Sequence, residues 1–520
     1  MSRRLLVSLA AGVAATFVLL WWTDWPLGVP GEWTWQRSAI SGDALWLVFV
    51  AACAGGSYAA AASWVLPRID ASGGKGKTAG WLSLSAAAGF VVLWAVDSTA
   101  QWPRSAPPED RAGDRADLKR AWTLYDSGAS GYLEAAVRSD QSTADFLAGY
   151  EAEMAKGDSL HIGTHPPGLI LLHRGLLAIC RASPVATRLT LAIQPQAVAE
   201  AFADLERAGG IASRRLPDSD RAALWLAVLL TYATAALAVV PLFLLVRGDF
   251  GPRVAWMTAA FWPFVPALAV FLPKSDALFP FIGLLFVLCW RGALRRRSFL
   301  LAAASGLVMW CGLLLSLALL PVALFAVVLT VWETLDASER GPAAPRLRRG
   351  FLLAGTAIAA FAAATIVFCL STGANLPVIW EWNFENHARF YDAYERTYWK
   401  WLPVNAVELT LATGWPIVLL VAMRVAQIVG LGEARHRGSG PAIAGLAVVA
   451  LLWISGKNMG EAARLWLFLT PWLLWITAGW WRRAAADDRI SRTWMTVLLF
   501  QFAVCLITVL RVTGLTFAGM

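Results

Sequence analysis

Long apolar runs alternate with short polar segments along most of this 520-residue chain. Several runs reach the roughly 20 residues that a helix needs to cross the hydrocarbon core of a bilayer, so the pattern predicts an all-α polytopic membrane protein with about 13 transmembrane helices. No convincing period-two alternation indicates a β-strand. The candidate spans lie at residues 5–22, 44–66, 80–98, 221–246, 254–272, 277–290, 298–316, 318–332, 351–370, 404–424, 441–455, 465–481 and 493–511.

Three apolar runs do not fit a simple crossing. Residues 298–332 are too long for one span and short for two, so they predict a pair of short helices or a re-entrant hairpin. The short run at 169–180 predicts a juxtamembrane helix that lies on the bilayer. Residues 5–22 resemble a signal peptide without a clear cleavage site and predict an uncleaved signal-anchor.

Lysines and arginines are concentrated in short loops, such as those at 291–297 and 346–349. Cytoplasmic loops carry an excess of Lys and Arg, so these loops are predicted to lie inside. A large loop at 99–220 and a smaller one at 371–403 then lie outside. We therefore expect a multi-pass protein of the cell membrane whose active face is extracytoplasmic.

The composition agrees with this class and argues against others. Apolar residues make up 58% of the chain and charged residues only 15%, and the net charge of +9 lies in the short loops. The positive-inside rule explains this charge, which is therefore no argument for nucleic-acid binding; membrane lipids are the expected partners. The 29 tryptophans are interpreted as rings at the membrane interfaces. The six cysteines have no C-x-x-C spacing and are interpreted as small buried hydrophobes. The lack of a G-x-x-x-x-G-K-[ST] phosphate loop argues against an ATP-driven pump.

Residues 161–168 read His-Ile-Gly-Thr-His-Pro-Pro-Gly and precede the apolar run at 169–180. Proline is tolerated in the first turn of a helix, so the Pro-Pro pair predicts a helix start that fixes the direction of His165. His161 and His165 are candidate ligands of a metal or a phosphate. Gly163 and Pro166 argue against a helix at 161–165, so a shared helical face is not expected.

Acidic residues are frequent in the large outer loop, and most are interpreted as solvated faces of loop helices. Asp126 differs, because a Gly-rich turn holds it before a predicted helix with Tyr132 and Glu134. It is a candidate general base, with helix capping as the alternative. Asp97 and Asp24, each at the end of a span, are weaker candidates for the same role.

Other charged residues lie next to apolar spans in three outer segments. Lys274 and Asp276 stand between two spans with almost no loop, where charge close to hydrocarbon is costly and usually functional. The alternative is a helix cap with a lysine that reaches the interface. The segment at 455–466 contains Lys457, Glu461 and Arg464, whose cations are candidates to bind phosphate. The alternative is an ordinary i,i+3 ion pair. The loop at 371–403 adds the candidates His387 and Arg389.

Together these stretches resemble external loops of the GT-C superfamily. Its members are integral-membrane glycosyltransferases that use polyprenyl-phosphate sugars, such as protein O-mannosyltransferases and lipid A aminoarabinose transferases. The similar features are residues 126–132, the acids that follow, and His165 to Gly168 at the head of a juxtamembrane helix. Residues 273–280 and 460–471 look like later external loops of the same superfamily.

The resemblance implies three parts: an added two-span hairpin at 1–79, a GT-C-like catalytic module at 80–480 that includes the external loop, and a C-terminal span at 481–520. The hairpin looks added because the acid follows the third span here, whereas it usually follows the first in the family. Residues 183–218 also look inserted.

The resemblance also implies a mechanism, in which Asp126 deprotonates an acceptor hydroxyl that attacks the anomeric carbon. An inverting and a retaining outcome both stay open, as does a divalent cation. The rival interpretation is a transporter or lipid flippase, which two superposable halves would favour; a third is a catalytically inactive scaffold. The residues expected to bind the donor phosphate or substrate are His165, Lys274, Asp276, Lys457, Glu461, Arg464, His387 and Arg389.

Overall fold

The structure, a computed structural model, is 83% helical, which confirms a helical protein with several apolar helices. Eight of its described helices are long and apolar enough to cross a membrane, or ten if two bent helix pairs each count as one span. The number 13 and the single large external loop stay predictions. The residues described are 3–40, 42, 44–71, 75–101, 115–125, 129–138, 141–158, 162–207, 216–335, 343–430, 439–484 and 490–513.

The N-terminal part contains three long helices and a β-hairpin. A π-helical turn at Val18–Trp22 extends the first helix. The elements are α1 (Arg3–Phe17), β1 (Leu27–Val29), β2 (Trp33–Arg37), α2 (Ala44–Ala71) and α3 (Lys75–Asp97).

The segment predicted as the large outer loop is mostly helical where it is described. Its helices are α4 (Arg115–Tyr125), α5 (Tyr132–Arg138), α6 (Thr143–Ala148), α7 (Tyr150–Met154), α8 (Gly168–Ala182), α9 (Pro184–Ala192) and α10 (Gln196–Arg207). The helix predicted to start after the Pro-Pro pair is confirmed as α8. The chain bends by 106° between α8 and α9.

The remaining helices form most of the apolar body. They are α11 (Asp218–Leu237), α12 (Val239–Ala259), α13 (Pro266–Phe271), α14 (Phe279–Arg296), α15 (Phe299–Leu315), α16 (Leu320–Leu335), α17 (Ala343–Thr372), α18 (Leu376–Ala393), α19 (Tyr398–Thr413), α20 (Trp415–Gly430), α21 (Gly440–Ile454), α22 (Ala462–Leu465), α23 (Thr470–Ala484) and α24 (Ile490–Arg511).

Two predictions about these helices need correction. The predicted span at 254–272 is broken, because α12 ends at Ala259 and a 3-10 turn at Trp262–Phe264 precedes α13. Pro263 and Pro266 lie in this break, where their missing N–H groups prevent a continuous helix. The predicted outer loop at 371–403 contains α18, an 18-residue helix. The run at 298–332 forms a pair of helices, α15 and α16, which is one of the two forms expected from the sequence.

A small antiparallel sheet also corrects the purely helical prediction. Leu27 of β1 is opposite Trp35 of β2, and Gln36 of β2 is opposite Thr513 of a two-residue strand, β3 (Val512–Thr513). A strand of two residues has no detectable period, so no sequence pattern could have indicated it. Because α1 and α2 also pack against α24, the two ends of the chain form one packed unit; the proposed division at residues 79 and 480 stays a prediction.

Many tryptophans lie inside the protein, which corrects the interpretation that they all mark membrane interfaces. The indole N–H groups of Trp225, Trp466, Trp472, Trp475 and Trp481 have no hydrogen-bond partner among the described residues. Others donate to backbone carbonyls of other helices, as Trp494 does to Met257 at 2.8 Å. Such bonds satisfy a buried donor and pin two helices together. The tryptophans less than 2% exposed are Trp225, Trp262, Trp401, Trp466, Trp472, Trp475, Trp481 and Trp494.

Candidate functional site

The turn that carries His165 is held by the middle of α18. Asn383 and Asn386, both buried, donate side-chain N–H groups to the carbonyl of Gly163 at 2.9 Å. The Tyr150 hydroxyl donates to the His165 carbonyl at 2.9 Å, and Thr164 Oγ1 lies 3.1 Å from His165 Nδ1. This network fixes the backbone of the turn independently of the helix that follows it.

Helix α5 places Tyr132 against His165, with ring centroids 5.5 Å apart and nearly perpendicular ring planes. Burial raises the pKa of Tyr132 well above its usual value, and the negative charge of Asp276 raises it further. The hydroxyl therefore stays protonated and can donate a hydrogen bond. The positive charge of Arg464 lowers the pKa of Tyr132, so Arg464 lies in the same neighbourhood.

A buried turn between α13 and α14 contributes Lys274 and Asp276. Lys274 is 7% exposed, and burial followed by the repulsion of Arg464 lowers its pKa to about 7. Among the described residues, neither the Lys274 ammonium nor the Asp276 carboxylate has a side-chain hydrogen bond. The negative charge of Asp276 favours the protonated forms of both Lys274 and Arg464. A lysine in this setting is poised to gain an anionic partner.

Arg464 approaches from the short helix α22 and pairs with Glu461 at 2.7 Å. Its Nε atom is buried and has no hydrogen-bond partner in the part of the chain that is described. We call Lys274, Asp276, Glu461 and Arg464 the charged cluster. The predicted i,i+3 pair between Glu461 and Arg464 is confirmed, and it contributes to the cluster instead of excluding it.

Helix α19 holds the backbone that carries Arg464. Asn405 accepts a hydrogen bond from the Gly460 N–H at 3.4 Å, and Glu408 Oε1 accepts one from the Ala463 N–H at 2.9 Å. The Trp35 indole of β2 donates to the same Glu408 oxygen at 3.1 Å. Glu408, which lies inside the predicted span at 404–424, was not among the residues predicted from the sequence. An acid inside an apolar span is the signal that could have identified it.

An apolar cavity of about 520 Å³ opens beside the charged cluster. Its wall includes Phe271, three residues before Lys274, and Ala463, directly before Arg464. Glu408 is the acidic residue of the wall, and its Oε2 atom has no hydrogen-bond partner among the described residues. The rest of the wall is mainly aliphatic and aromatic, with residues such as Leu19, Val270, Val407 and Leu411. The charged cluster therefore adjoins an apolar cavity through Phe271 and Ala463, although none of its four residues lines the wall.

His387 and Lys457 lie at the margin of the cluster. Burial, followed by the positive charge of Lys457, lowers the pKa of His387, while Glu461 raises it. His387 also stacks edge-on against Tyr391, whose hydroxyl accepts a hydrogen bond from the Asn458 N–H at 2.7 Å. Lys457 itself is exposed. These residues form an outer rim.

Arg389 stands apart from the other candidates. It pairs with Glu385 of its own helix at 3.4 Å and bonds to Asn386 at 3.1 Å. Both ion-pair partners are about half exposed. Its contacts support the turn at Gly163 and not the charged cluster.

Asp126 and His161 lie outside the described residues, so the base and one metal candidate stay predictions. Within the described ranges, no group of three or more His, Cys, Asp or Glu side chains could hold a metal ion.

Asp97 is fully buried and bonded to Lys119 and to the Tyr232 hydroxyl, so it does not fit the role of base for which it was a weaker candidate. Asp24 is exposed. Asp145 bonds with the N-cap residue Ser142 of α6.

The structure thus brings His165, Lys274, Asp276, Glu461 and Arg464 into one neighbourhood, although they are separated by up to 299 positions in the sequence. Tyr132 links the histidine to the charged cluster. The chain matches no family model, and no curated protein is significantly similar to it.

Proposed function

We propose that the chain is an integral-membrane glycosyltransferase that moves a sugar from a polyprenyl-phosphate donor to a cell-envelope acceptor at the outer face of the cell membrane. The junction of the charged cluster with the apolar cavity supports this proposal most directly. A polyprenyl-phosphate sugar has the same division into a long hydrocarbon chain and an anionic phosphate. The resemblance of the loops to GT-C enzymes points to the same substrate class.

Lys274 and Arg464 are proposed to bind the donor phosphate. Two buried cations that repel each other are stabilised when an anion lies between them. Guanidinium and ammonium groups form strong charge-assisted hydrogen bonds to phosphate oxygens. Glu461 orients the Arg464 guanidinium, and the cavity walls hold the isoprenoid chain. Positioning and stabilisation of the leaving group then lower the barrier.

In the proposed reaction, an acceptor hydroxyl oxygen attacks the anomeric carbon of the sugar. The bond between that carbon and the phosphate oxygen breaks, and its electron pair leaves with the polyprenyl phosphate. The proton of the hydroxyl goes to Asp126, a role assigned from the family resemblance. Tyr132, which stays protonated, is proposed to donate a hydrogen bond to the donor phosphate or sugar.

The test uses the full-length protein in nanodiscs with a panel of labelled polyprenyl-monophosphate hexoses and pentoses and a cell-envelope extract as acceptor. Release of polyprenyl phosphate is measured because it is common to every sugar. Lys274→Gln and Arg464→Gln should each slow release at least about a hundredfold. The matched control is Arg188→Gln, an exposed arginine of α9, which should keep the rate of the parent protein.

Two outcomes would contradict the proposal. If the protein binds the donor but releases polyprenyl phosphate with none of the sugars, and also moves the labelled lipid across the bilayer, a flippase is favoured instead. A folded Asp126→Asn variant with full transfer activity would remove the base assignment while leaving the transferase class intact.

A further inference from the structure

A second cavity, of about 570 Å³, lies at the opposite end of α14 from the charged cluster. Helix α14 has 18 residues, and at 1.5 Å per residue the two ends are about 27 Å apart. The cavity is bordered by ends of α14, α16, α17 and α21 and by Gly248 and Asp249 of α12. It shares no lining residue with the apolar cavity.

The second cavity is unusually rich in arginine. At its centre Arg291, only 4% exposed, binds Asp249 through both terminal nitrogens at 2.8 and 2.9 Å, and also pairs with Glu333. Its Nε atom is buried without a hydrogen-bond partner among the described residues. Among the described lining residues, five are arginines and two, Asp249 and Glu333, are acids. The arginines are Arg291, Arg295, Arg297, Arg346 and Arg349.

Two of these arginines, Arg297 and Arg349, have no acidic partner among the residues that the structure describes. Arg295 instead completes the Asp249 network. Arg291 is thus occupied by carboxylates, while Arg297 and Arg349 line the cavity without an acidic partner among the described residues. Guanidinium groups form paired N–H bonds to phosphate oxygens.

The surroundings of the cavity indicate where such a phosphate comes from. Two and three residues after Arg297, Phe299 and Leu300 of α15 are 54% and 79% exposed. Directly after Arg349 and Gly350, Phe351 and Leu352 of α17 are 74% and 54% exposed. Exposed apolar side chains of this size fit contact with hydrocarbon and not with water. The phosphate site therefore meets acyl chains at its edge.

We propose that this second cavity binds the headgroup phosphate of an acidic phospholipid whose acyl chains lie against α15 and α17. Basic pockets between membrane helices are suited to such headgroups. The bound lipid would offset the positive charges of Arg297 and Arg349 and connect α14 to α17. This role is separate from the proposed glycosyl transfer, because it uses other residues at the other end of α14.

The test is a titration of the full-length protein in phosphatidylcholine nanodiscs with phosphatidylglycerol, followed by native mass spectrometry of the retained lipid. The parent protein should retain phosphatidylglycerol. Arg349→Gln should weaken retention several-fold, and Arg346→Gln with Arg349→Gln at least about tenfold. Arg348→Gln is the matched control, since Arg348 is exposed on the same helix but does not line the cavity. For the double variant the control is Arg348→Gln with Arg492→Gln, since Arg492 is exposed near the start of α24 and does not line the cavity.

Equal loss of lipid in the cavity and control variants would overturn the proposal, as would equal retention in both. The same experiment with inorganic phosphate separates the two sources of this chemistry. If phosphate binds with the same arginine dependence and phosphatidylglycerol does not, the ligand is a soluble phosphate and the lipid assignment is wrong. Helical circular dichroism and gel filtration of each variant confirm that the fold is intact.

Discussion

Asp97 and Lys274 show two ways in which this chain holds a buried charge. Asp97 is surrounded by the Lys119 ammonium, the Arg120 guanidinium at 3.1 Å and the Tyr232 hydroxyl. Arg120 also lies over the Trp94 ring at 3.8 Å. Such a saturated network fits a structural role, whereas Lys274, without a side-chain hydrogen bond among the described residues, fits a ligand site.

We expect Asp97→Asn to lower the free energy of unfolding by about 3–5 kcal/mol, because it removes the carboxylate that two buried cations share. Denaturant titration in detergent, followed by tryptophan fluorescence, measures the change. Asp204→Asn is the control, since Asp204 pairs with Arg207 on the exposed surface of α10. Its expected effect is below about 1 kcal/mol. Similar losses in the two variants would show that Asp97 has no special structural role.

The lowered pKa of Lys274 predicts a pH dependence. Between about pH 7 and its usual 10.5, the folded protein holds this lysine neutral while the unfolded chain keeps it protonated. The unfolded state then binds more protons, so stability contributed by this group rises with pH over that window and is lowest below pH 7. The apparent melting temperature of Lys274→Gln should lack this rise. Identical pH profiles for both proteins would contradict the assigned pKa.

At the scale of single elements, the position of α8 depends on one glycine. A Cβ atom at Gly168 would lie 2.3 Å from the Leu314 carbonyl oxygen near the end of α15. This close approach sets α8 beside α15, and the preceding residues Pro166 and Pro167 carry that placement to His165. The helix start could be predicted from the prolines, whereas its packing partner could not.

Gly168→Ala should therefore destabilise the protein by about 1–3 kcal/mol, because backbone cannot move aside as a flexible side chain can. Gly175→Ala on the same helix is the matched control, since a Cβ there meets nothing within 4 Å. Alanine replaces glycine there in an exposed helix interior, so it should stabilise by about 0.5–1 kcal/mol. Thermal unfolding of both variants measures the difference, and a change of the same sign in both would refute the argument.

A break between α19 and α20 shows how the fold compensates for lost helical hydrogen bonds. The two helices meet at Gly414, whose φ of 94° is favourable only for glycine, and bend by 112°. The amide of Gln501 on α24 donates to the Thr413 carbonyl at 2.9 Å and to the Phe264 carbonyl at 2.9 Å. A single polar side chain thus satisfies carbonyls at two broken helices.

At the scale of the whole molecule, the β-hairpin of β1 and β2 connects segments that are distant in sequence. Glu32 at its tip accepts hydrogen bonds from the Thr397 N–H and hydroxyl, the Lys400 ammonium and the Trp401 indole. These groups lie at the start of α19, whose N-cap residue makes no side-chain cap of its own. The hairpin therefore caps and positions the helix that holds the Arg464 backbone.

The same contacts predict a second pH effect. Burial alone would raise the pKa of Glu32, but hydrogen bonds from Thr397, Lys400 and Trp401 outweigh it and lower the pKa from 4.5 to about 2. The stabilisation is therefore present above pH 4.5 and lost as the pH falls through 2. Glu32→Gln should melt below the parent protein at pH 7, with a gap that narrows toward pH 2. Glu385→Gln, at an exposed pair, should show no such gap, and a constant gap for Glu32→Gln would refute the prediction.

Much of the candidate site could be predicted because its residue types are conspicuous against apolar sequence. Lys274 and Asp276 interrupt two spans, and Glu461 and Arg464 follow another, so the cost of charge near hydrocarbon identified them. Glu408 was missed because a span was assigned by its average hydropathy. The arginine-lined cavity was also missed, since its basic residues were interpreted as topology signals alone.

The sequence by itself determined that the chain forms apolar helices, where helix α8 starts, and which charged residues are exceptional. These are local properties, because hydrophobic runs and proline geometry act over neighbouring residues. The tertiary structure alone decided that the charged cluster adjoins an apolar cavity, that β3 pairs with the β-hairpin of β1 and β2, and that many tryptophans are buried. Those features depend on contacts between residues hundreds of positions apart, which no local pattern encodes.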